Sequence, residues 1–152
     1  MAIGYTQIGS GQEKVLILHG WFGDYSVWEP TFNSLDQDAF TYVFIDYRGY
    51  GKSKDLEGNY TMNEIAKDAI SLINNLGWDV FHLIGHSMGG MAMQRVTLNI
   101  NDRGRIKSMI GIDPVPAVRI GIILKIQMII YGVWPIILSF GLGRKIEVTN
   151  KI

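Results

Sequence analysis

The sequence contains no cysteine, and this absence excludes several kinds of chemistry at once. Without thiols the chain can form no disulfide, cannot use a cysteine nucleophile and cannot build a zinc ribbon. The absence of cysteine also fits a reducing compartment. Since the first residues carry neither a basic cluster nor a continuous apolar run, no signal peptide is expected, and we predict a cytoplasmic protein.

An excess of charge of one sign is missing too. Lysine and arginine together number 14, as do aspartate and glutamate, so the formal net charge is zero. A chain without a basic surplus has no general attraction for polyanions, and no nucleic acid partner is expected. Hydrophobic residues make up 47% of the 152 residues and charged residues 18%, which is typical of a globular domain rather than a disordered chain.

Short apolar runs alternate with helical patterns along the first 116 residues. Several of these runs are almost entirely apolar, as in strands that are covered on both faces. We predict strands at residues 1–8, 14–18, 40–45, 80–84 and 106–112, and helices at residues 25–36, 61–76 and 88–99. This alternation predicts a parallel sheet built from βαβ crossovers, with the first strand at an edge.

The helical patterns differ in strength. Residues 61–76 have apolar side chains at 3.6-residue spacing and form the clearest helix. The pattern over residues 25–36 is weaker, because Pro30 lies inside it and is expected to shorten the helix or mark its first turn. The side chains of that segment expected to face inward are Val27, Phe32 and Leu35.

Three unusual segments follow predicted strands directly. They are residues 19–21 (HGW), 46–53 (DYRGYGKS) and 85–90 (GHSMGG). The carboxyl ends of parallel strands meet at one edge of the sheet, where ligands bind in folds of this kind. We therefore expect the three segments to lie together and to form the functional site.

The third segment matches the pattern G-x-S-x-G between a strand and a helix. A serine on so sharp a turn projects its hydroxyl from the chain, and glycines at Gly85 and Gly89 remove side chains that would collide as strand and helix converge. The following helix points its free N–H groups at the same place, which favours a developing oxyanion. Ser87 is therefore the candidate nucleophile.

The three segments, in this order and spacing, resemble those of the α/β-hydrolase family. Residues 19–21 are similar to that family's oxyanion-hole loop, residues 46–53 to its D-x-R-G-x-G-x-S turn, and residues 85–90 to its nucleophile elbow. The resemblance implies an α/β-hydrolase fold with a mostly parallel sheet and helices on both faces. The fold is expected to be truncated at its C-terminal side, because the likeness fades at about residue 116.

The resemblance also implies an activity, the hydrolysis of a carboxylic ester or similar small acyl substrate through a serine acyl-enzyme at Ser87. The backbone N–H groups of Trp21 and Met88 would hold the oxyanion. No metal and no organic cofactor are implied, and the expected partner is the small acyl or ester substrate. Cofactor-free peroxidation uses the same elbow and stays open as a competing chemistry.

Other motif residues are expected to be structural. The resemblance gives His19 and Gly20 the task of shaping the oxyanion loop. The side chains of Asp46 and Arg48 are expected to fix the turn after the strand at 40–45 by pairing or hydrogen bonding. None of the four is expected to react with substrate.

The general base is missing from the expected place. The family's catalytic order is serine, acid, histidine, but His19, His82 and His86 all precede Ser87. A structural role is favoured for each, since His86 should point away from Ser87 and His82 lies toward the other end of its strand. Asp113, just after the strand at 106–112, is the possible acid, although the neighbouring prolines favour a role in shaping the loop.

Residues 117–152 form an apolar tail of different composition. Ten of its 36 residues are isoleucine, against 12 in the preceding 116, and residues 126–143 carry no charge. This stretch is either a cap-like helix pair over the site, a marginal membrane segment, or a degenerate product of truncation. Membrane association is the least favoured, because four polar or helix-breaking residues interrupt the stretch: Gln127, Gly132, Pro135 and Ser139.

Two further functions stay open. One is a truncated, catalytically inactive α/β-hydrolase that binds an acyl ligand or a partner without turnover. The other is a membrane-associated fragment held by residues 126–143. The missing histidine favours both over full catalysis by this chain alone, whereas the intact motifs indicate hydrolase ancestry for all three.

Overall fold

The computed structural model describes residues 2–115 of the chain. In this part, strands and helices alternate in the order β1 Tyr5–Ile8, β2 Glu13–Leu18, β3 Phe40–Ile45, α1 Met62–Asn75, β4 Phe81–His86, α2 Met88–Asn99 and β5 Ile106–Ile112. Short 3₁₀ helices lie in the connections at Tyr25–Ser34, Gly51–Ser53 and Arg103–Arg105. The predicted strands and the helices predicted at 61–76 and 88–99 are confirmed, with shifts at some ends. The strand predicted at 80–84, for example, runs from Phe81 to His86.

The strands of residues 2–115 form one sheet in the order β1-β3-β2-β4-β5. β1 is an antiparallel edge strand beside β3, and the remaining neighbours are parallel. Leu18, the last residue of β2, pairs with Ile45 at the end of β3 and with Gly85 near the end of β4. Because these ends are level, the three motif segments begin at the same edge of the sheet.

The two faces of the sheet are covered by different elements. Helices α1 and α2 cover one face and bury alternate strand residues such as Leu16, Val43 and Leu83. The 3₁₀ helix Tyr25–Ser34 covers the other face, where it packs over Tyr42 and Phe44. Apolar side chains on both faces explain why the central strands read as continuous apolar runs. The expected mostly parallel sheet with helices on both faces is therefore present.

Helix α1 begins and ends where its sequence signals indicate. Thr61 caps the start, its hydroxyl accepting the N–H of Glu64 at 3.1 Å. The Glu64 carboxylate in turn accepts the N–H of Tyr60 rather than that of the cap residue. Gly77, with φ at 67°, follows the end of the helix in the left-handed conformation that glycine adopts without strain. These bonds satisfy backbone groups that the helix itself leaves unpaired.

The prediction for residues 25–36 is wrong in one respect. The segment is a 3₁₀ helix with Pro30 inside it, and Val27, expected to face inward, is 52% exposed. Trp28 takes the inward position, and Phe32 and Leu35 pack against the sheet as expected. A 3₁₀ helix has three residues per turn, so its apolar face follows a different spacing from that of an α-helix.

Several sequence expectations fall on residues that the structure does not describe. The boundary after residue 116, the apolar tail 117–152 and its uncharged stretch 126–143 all lie outside the described residues. The division into a core and a tail therefore stays a prediction. Among the helices of residues 2–115, none has the length and apolar character needed to cross a membrane.

Candidate active site

Ser87 stands at the junction of β4 and α2 in a strained backbone conformation. Its φ of 52° and ψ of −116° lie outside the regions that residues with a side chain normally adopt. The turn is held by its own backbone, since the Ser87 N–H donates to the Ile112 carbonyl and the Ser87 carbonyl accepts from Gly90 and Val115. The hydroxyl makes no capping bond to α2. The strained turn therefore leaves the Ser87 hydroxyl without a hydrogen bond to the start of α2.

Glycines let the strand and the helix approach each other at this turn. A methyl group added at Gly85 would collide with the backbone carbonyl of Gly89, and one added at Gly89 would collide with the carbonyl of Leu18 at the end of β2. The clash that the sequence suggested is therefore present on both sides of Ser87. The first residues of α2 consequently lie directly against the loop that follows β2.

That loop carries His19, Gly20 and Trp21. Gly20 borders the elbow, because a methyl group placed on it would lie 3.3 Å from Cβ of Ser87 and 3.1 Å from Nδ1 of His86. Trp21 follows with 67% of its surface exposed, stacked on Phe22. Met88 is the first residue of α2, so its N–H is one of the helix-start donors without an internal partner. The two proposed oxyanion donors thus flank the region around Ser87.

His19 is buried, and both of its ring nitrogens are occupied. Nδ1–H donates to the carbonyl oxygen of Gly20 at 2.8 Å, and Nε2 accepts the backbone N–H of Tyr47 at 3.4 Å. The ring stacks on that of Tyr47, with centroids 3.9 Å apart. Burial lowers the pKa of His19, which keeps the ring neutral. These contacts tie the loop after β2 to the loop after β3 and leave no nitrogen of His19 free to act as a base.

The buried His19 ring makes the stability of the fold depend on pH. In the unfolded chain His19 binds a proton below about pH 6.5, whereas burial lowers its pKa in the folded chain. The unfolded state therefore binds more protons in that window, and the free energy of unfolding is expected to fall as the pH drops below about 6.5. Urea unfolding between about pH 5 and pH 8 measures this slope. His19→Asn should reduce the dependence of the free energy of unfolding on pH. Equal slopes in parent and variant would contradict the attribution of this dependence to His19.

Asp46 joins two loops from a fully buried position. One carboxylate oxygen accepts the N–H of Tyr25 at 2.8 Å, and the other accepts the N–H of Lys52 at 2.9 Å. A methyl group at Gly51 would overlap the same carboxylate, so the turn needs glycine there, where φ is 45°. Both oxygens of the carboxylate therefore bind backbone N–H groups.

Arg48 pairs with helix α1. Its guanidinium donates from Nε and Nη2 to the two oxygens of Asp68, at 2.8 Å and 3.0 Å, and from Nη1 to the carbonyl of Glu57. The hydrogen bonds and charge of Asp68 raise the pKa of Arg48. This forked pair fixes the loop after β3 on the middle of α1.

The remaining candidate residues have partners other than the Ser87 hydroxyl or lie in the turn after β5. The His86 ring stands edge-on to Trp28 of the Tyr25–Ser34 helix, at 6.1 Å. His82 bonds to Ser108 and Glu13 near the amino ends of the strands. Asp113 is exposed, directly after β5, with φ at 46°. Within residues 2–115, no histidine is hydrogen-bonded to Ser87.

Two residues of the site region have no counterpart among the sequence predictions. Tyr47 is buried and donates its hydroxyl to the carbonyl of His19 at 2.9 Å, and burial raises its pKa well above the usual value, so the hydroxyl keeps its proton. Asp68 receives Arg48 from the middle of α1. Tyr47 could have been found from the sequence, because it is adjacent to Asp46 in the motif. Asp68 is recognisable only once the loop is placed on the helix.

A cavity of about 580 Å³ opens between the motif loops and α1. Trp21 and Met88, which flank the elbow, both contribute to its wall, while Ser87 itself is not among the wall residues. The rest of the wall is largely aromatic and apolar, with three charged side chains. It is formed by Tyr47, Arg48, Gly49, Tyr50, Tyr60, Met62, Glu64, Ile65 and Asp68. In residues 2–115 no group of three or more histidine, aspartate or glutamate side chains is arranged to hold a metal ion.

The chain is similar to known proteins. Over residues 14–131 the chain matches the family described as alpha/beta hydrolase fold. It is 31% identical over 111 residues to the dihydrolipoyllysine-residue acetyltransferase component of the acetoin cleaving system of Cupriavidus necator, covering 73% of this chain and 29% of that protein. It is 32% identical over 114 residues to a fluoroacetate dehalogenase of Burkholderia sp, covering 72% and 36%.

Solved structures agree with the sequence relatives. An esterase from Exiguobacterium antarcticum superposes with a TM-score of 0.67 at 32% identity, covering 74% of this chain and 41% of that one. The chain therefore spans roughly a third of the length of the curated relatives above and about two fifths of this esterase. The family match covers more than half of the chain, and it agrees with the sheet order and the three motif loops described above. The protein belongs to the alpha/beta hydrolase fold family.

Proposed function

We propose that Ser87 is the nucleophile of a serine hydrolase that cleaves a carboxylic ester or a similar small acyl compound. The observation that carries the proposal is the backbone of Ser87, strained at φ 52° between β4 and α2 and followed at once by the helix N-terminus. Strain of this kind persists only where the surrounding structure enforces it, and it concentrates at functional sites. The esterase among the similar structures supports the substrate class.

The chemistry follows from what surrounds the hydroxyl. The oxygen of Ser87 attacks the acyl carbon, its proton passes to a base, and the alcohol leaves to give an acyl-enzyme that water then hydrolyses. The N–H of Met88 and that of Trp21 are the proposed donors to the oxyanion. The positive end of the α2 dipole favours the same charge.

The base is the missing part of this scheme. All three histidines of the sequence lie in the described part, and each has other partners. His19 bonds to Gly20 and Tyr47, His82 bonds to Ser108 and Glu13, and the His86 ring contacts Trp28. A serine–histidine–acid arrangement at Ser87 would therefore need a histidine from outside these residues. Asp113 follows β5 and stays a weaker proposal for the acid, because its positive φ indicates a role in the turn.

Labelling with a fluorophosphonate probe tests the proposal directly. We expect the folded protein to form a covalent adduct on Ser87, detected by intact mass and located by peptide mapping, and Ser87→Ala to lose that adduct. Serine hydroxyls without activation do not react, so the adduct reports activation at this turn. A folded sample that gives no adduct on Ser87 would contradict hydrolysis by these residues and would support the binding function described next.

A second function is favoured by the same missing base. The cavity beside Trp21 and Met88 is large enough for a small ligand, and its wall is mainly apolar. A chain that keeps this cavity without a base would bind an acyl compound and not turn it over. Calorimetric titration with a short-chain ester separates the two functions. Binding without product and without an adduct on Ser87 supports this alternative, and product release supports hydrolysis.

A further inference from the structure

A second serine is hydrogen-bonded to a histidine at the opposite end of the sheet. The Oγ atom of Ser108 lies 2.7 Å from Nδ1 of His82, and Nε2 of His82 lies 3.1 Å from a carboxylate oxygen of Glu13. A carboxylate accepts hydrogen bonds and does not donate them, so Nε2 carries the proton. In the neutral imidazole, Nδ1 is then the unprotonated nitrogen and accepts the hydroxyl of Ser108. This is the tautomer that a general base needs.

Three parallel strands bring these residues together. His82 of β4 is the register partner of Ser108 on β5, and Glu13 begins β2 on the other side. An irregularity in the ladder at Phe81/His82 shifts the register of β4 and β5 just before this pair. His82 precedes Ser87 by five residues, which in a strand corresponds to on the order of 15 Å. The two serines therefore belong to separate sites.

The group is accessible from solvent. Ser108 is exposed, and the side chains of His82 and Glu13 keep 22% and 40% of their surface exposed. Lys107 also faces the group, with Nζ at 2.6 Å and 2.8 Å from the two oxygens of Glu13. The hydrogen bond from Lys107 is the main cause of the lowered pKa of Glu13, followed by that from His82. Glu13 is thus held as a carboxylate facing the imidazole.

We propose that Ser108 is a second activated serine, which accepts acyl or phosphonyl groups from small reactive electrophiles. The Ser108 oxygen forms the bond to phosphorus or to the acyl carbon, its proton moves to Nδ1 of His82, and fluoride or an aryl alcoholate leaves. Glu13 positions the imidazole through Nε2–H. Ser108 lies within a strand and not at a helix N-terminus, so the reaction is confined to activated compounds such as aryl esters and phosphonofluoridates.

The test uses the full chain with Ser87→Ala, so that the two serines are read separately. After treatment with a fluorophosphonate, we expect one adduct that peptide mapping places on Ser108, and none in Ser87→Ala/Ser108→Ala. Ser71, an exposed serine on α1, is the internal control and should stay unmodified. An adduct confined to Ser87 in the parent, with Ser108 unmodified in the variant, overturns this inference and leaves the proposed function standing.

Two further variants separate activation from a merely structural network. His82→Gln removes the base and should slow labelling of Ser108 on the order of 100-fold, the usual scale for a general base. Lys107→Gln removes the cation that partly neutralises Glu13, so that Glu13 stabilises the protonated His82 formed in the reaction more strongly. This variant should speed the labelling of Ser108 a few-fold. Circular dichroism checks that each variant is folded. Labelling rates that both substitutions leave unchanged would overturn the proposed role of His82 and Glu13.

Discussion

Replacing Gly89 with alanine is expected to lower the free energy of unfolding by about 3 kcal/mol, although alanine is the better helix former. The added methyl group would overlap the carbonyl group of Leu18 and approach that of His19. Leu18 ends the central strand β2, which is paired on both sides, so its backbone cannot retreat. Relief is possible only if α2 moves away from the sheet, and that movement opens the core beneath it.

Gly77→Ala is the matched control for this prediction. It is the same chemical change and reduces the freedom of the unfolded chain equally, but nothing lies within 4 Å of the added carbon. An alanine held at the φ of 67° that Gly77 has should lower the free energy of unfolding by only about 1 kcal/mol. Urea unfolding followed by tryptophan fluorescence measures both variants. A Gly89→Ala protein as stable as Gly77→Ala would mean that α2 does not press on β2 as described.

The close packing at Gly89 was predictable because the sequence carries it locally. The G-x-S-x-G pattern lies between an apolar strand and an amphipathic helix, and each glycine has one steric reason to be there. The two-sided burial of β2 and β3 was likewise visible as continuous apolar runs. Helix α2, predicted at 88–99, begins and ends at those residues in the structure.

The helix at residues 25–36 shows where a sequence pattern is insufficient. Alpha-helical spacing placed Val27 inward, but the 3₁₀ helix that forms there turns Trp28 to the sheet instead. Trp28 stands against Phe44 and the His86 ring, contacts that exist only once three separate chain segments are assembled. Tertiary packing therefore decided the face of this segment, since its weak periodicity and internal Pro30 did not.

The candidate site was predictable in part. Its motif loops were located because each follows a strand and carries its own spacing. The roles of the histidines could only be inferred by elimination, since tautomer and partners depend on groups far away in sequence. Glu13 and His82, 69 positions apart, illustrate this, because a one-residue change of register would turn His82 to the other face. Asp68, the partner of Arg48, was missed for the same reason.

The residues that fix the loops of the candidate site are not residues that could accept the proton of Ser87. The loops after β2 and β3 are locked by His19, Tyr47 and Asp46, and the elbow is locked by the backbone bonds of Ser87. Nothing in that locked set can take a proton from the Ser87 hydroxyl. The described residues therefore position the serine and the oxyanion loop, and the proposed base is not among them.

Asp46→Asn should be the second variant with a large effect, lowering the free energy of unfolding by about 3 kcal/mol. An amide keeps the size of the carboxylate but replaces one accepting oxygen with an NH₂ group. That group would face the N–H of either Tyr25 or Lys52, and two donors cannot pair. Because Asp46 is fully buried, water cannot take over the lost bond.

Asp55→Asn provides the comparison, since it neutralises an exposed carboxylate on the same loop and should change stability by less than about 0.5 kcal/mol. The Asp46 variant should also release the start of the Tyr25–Ser34 helix, whose first residue is bound to the carboxylate. Trp28 lies in that helix, so its near-ultraviolet circular dichroism should weaken before global unfolding. If the Asp46 and Asp55 variants unfold at the same urea concentration, the two buried bonds do not hold the loops together, and the support for the candidate site must come from elsewhere.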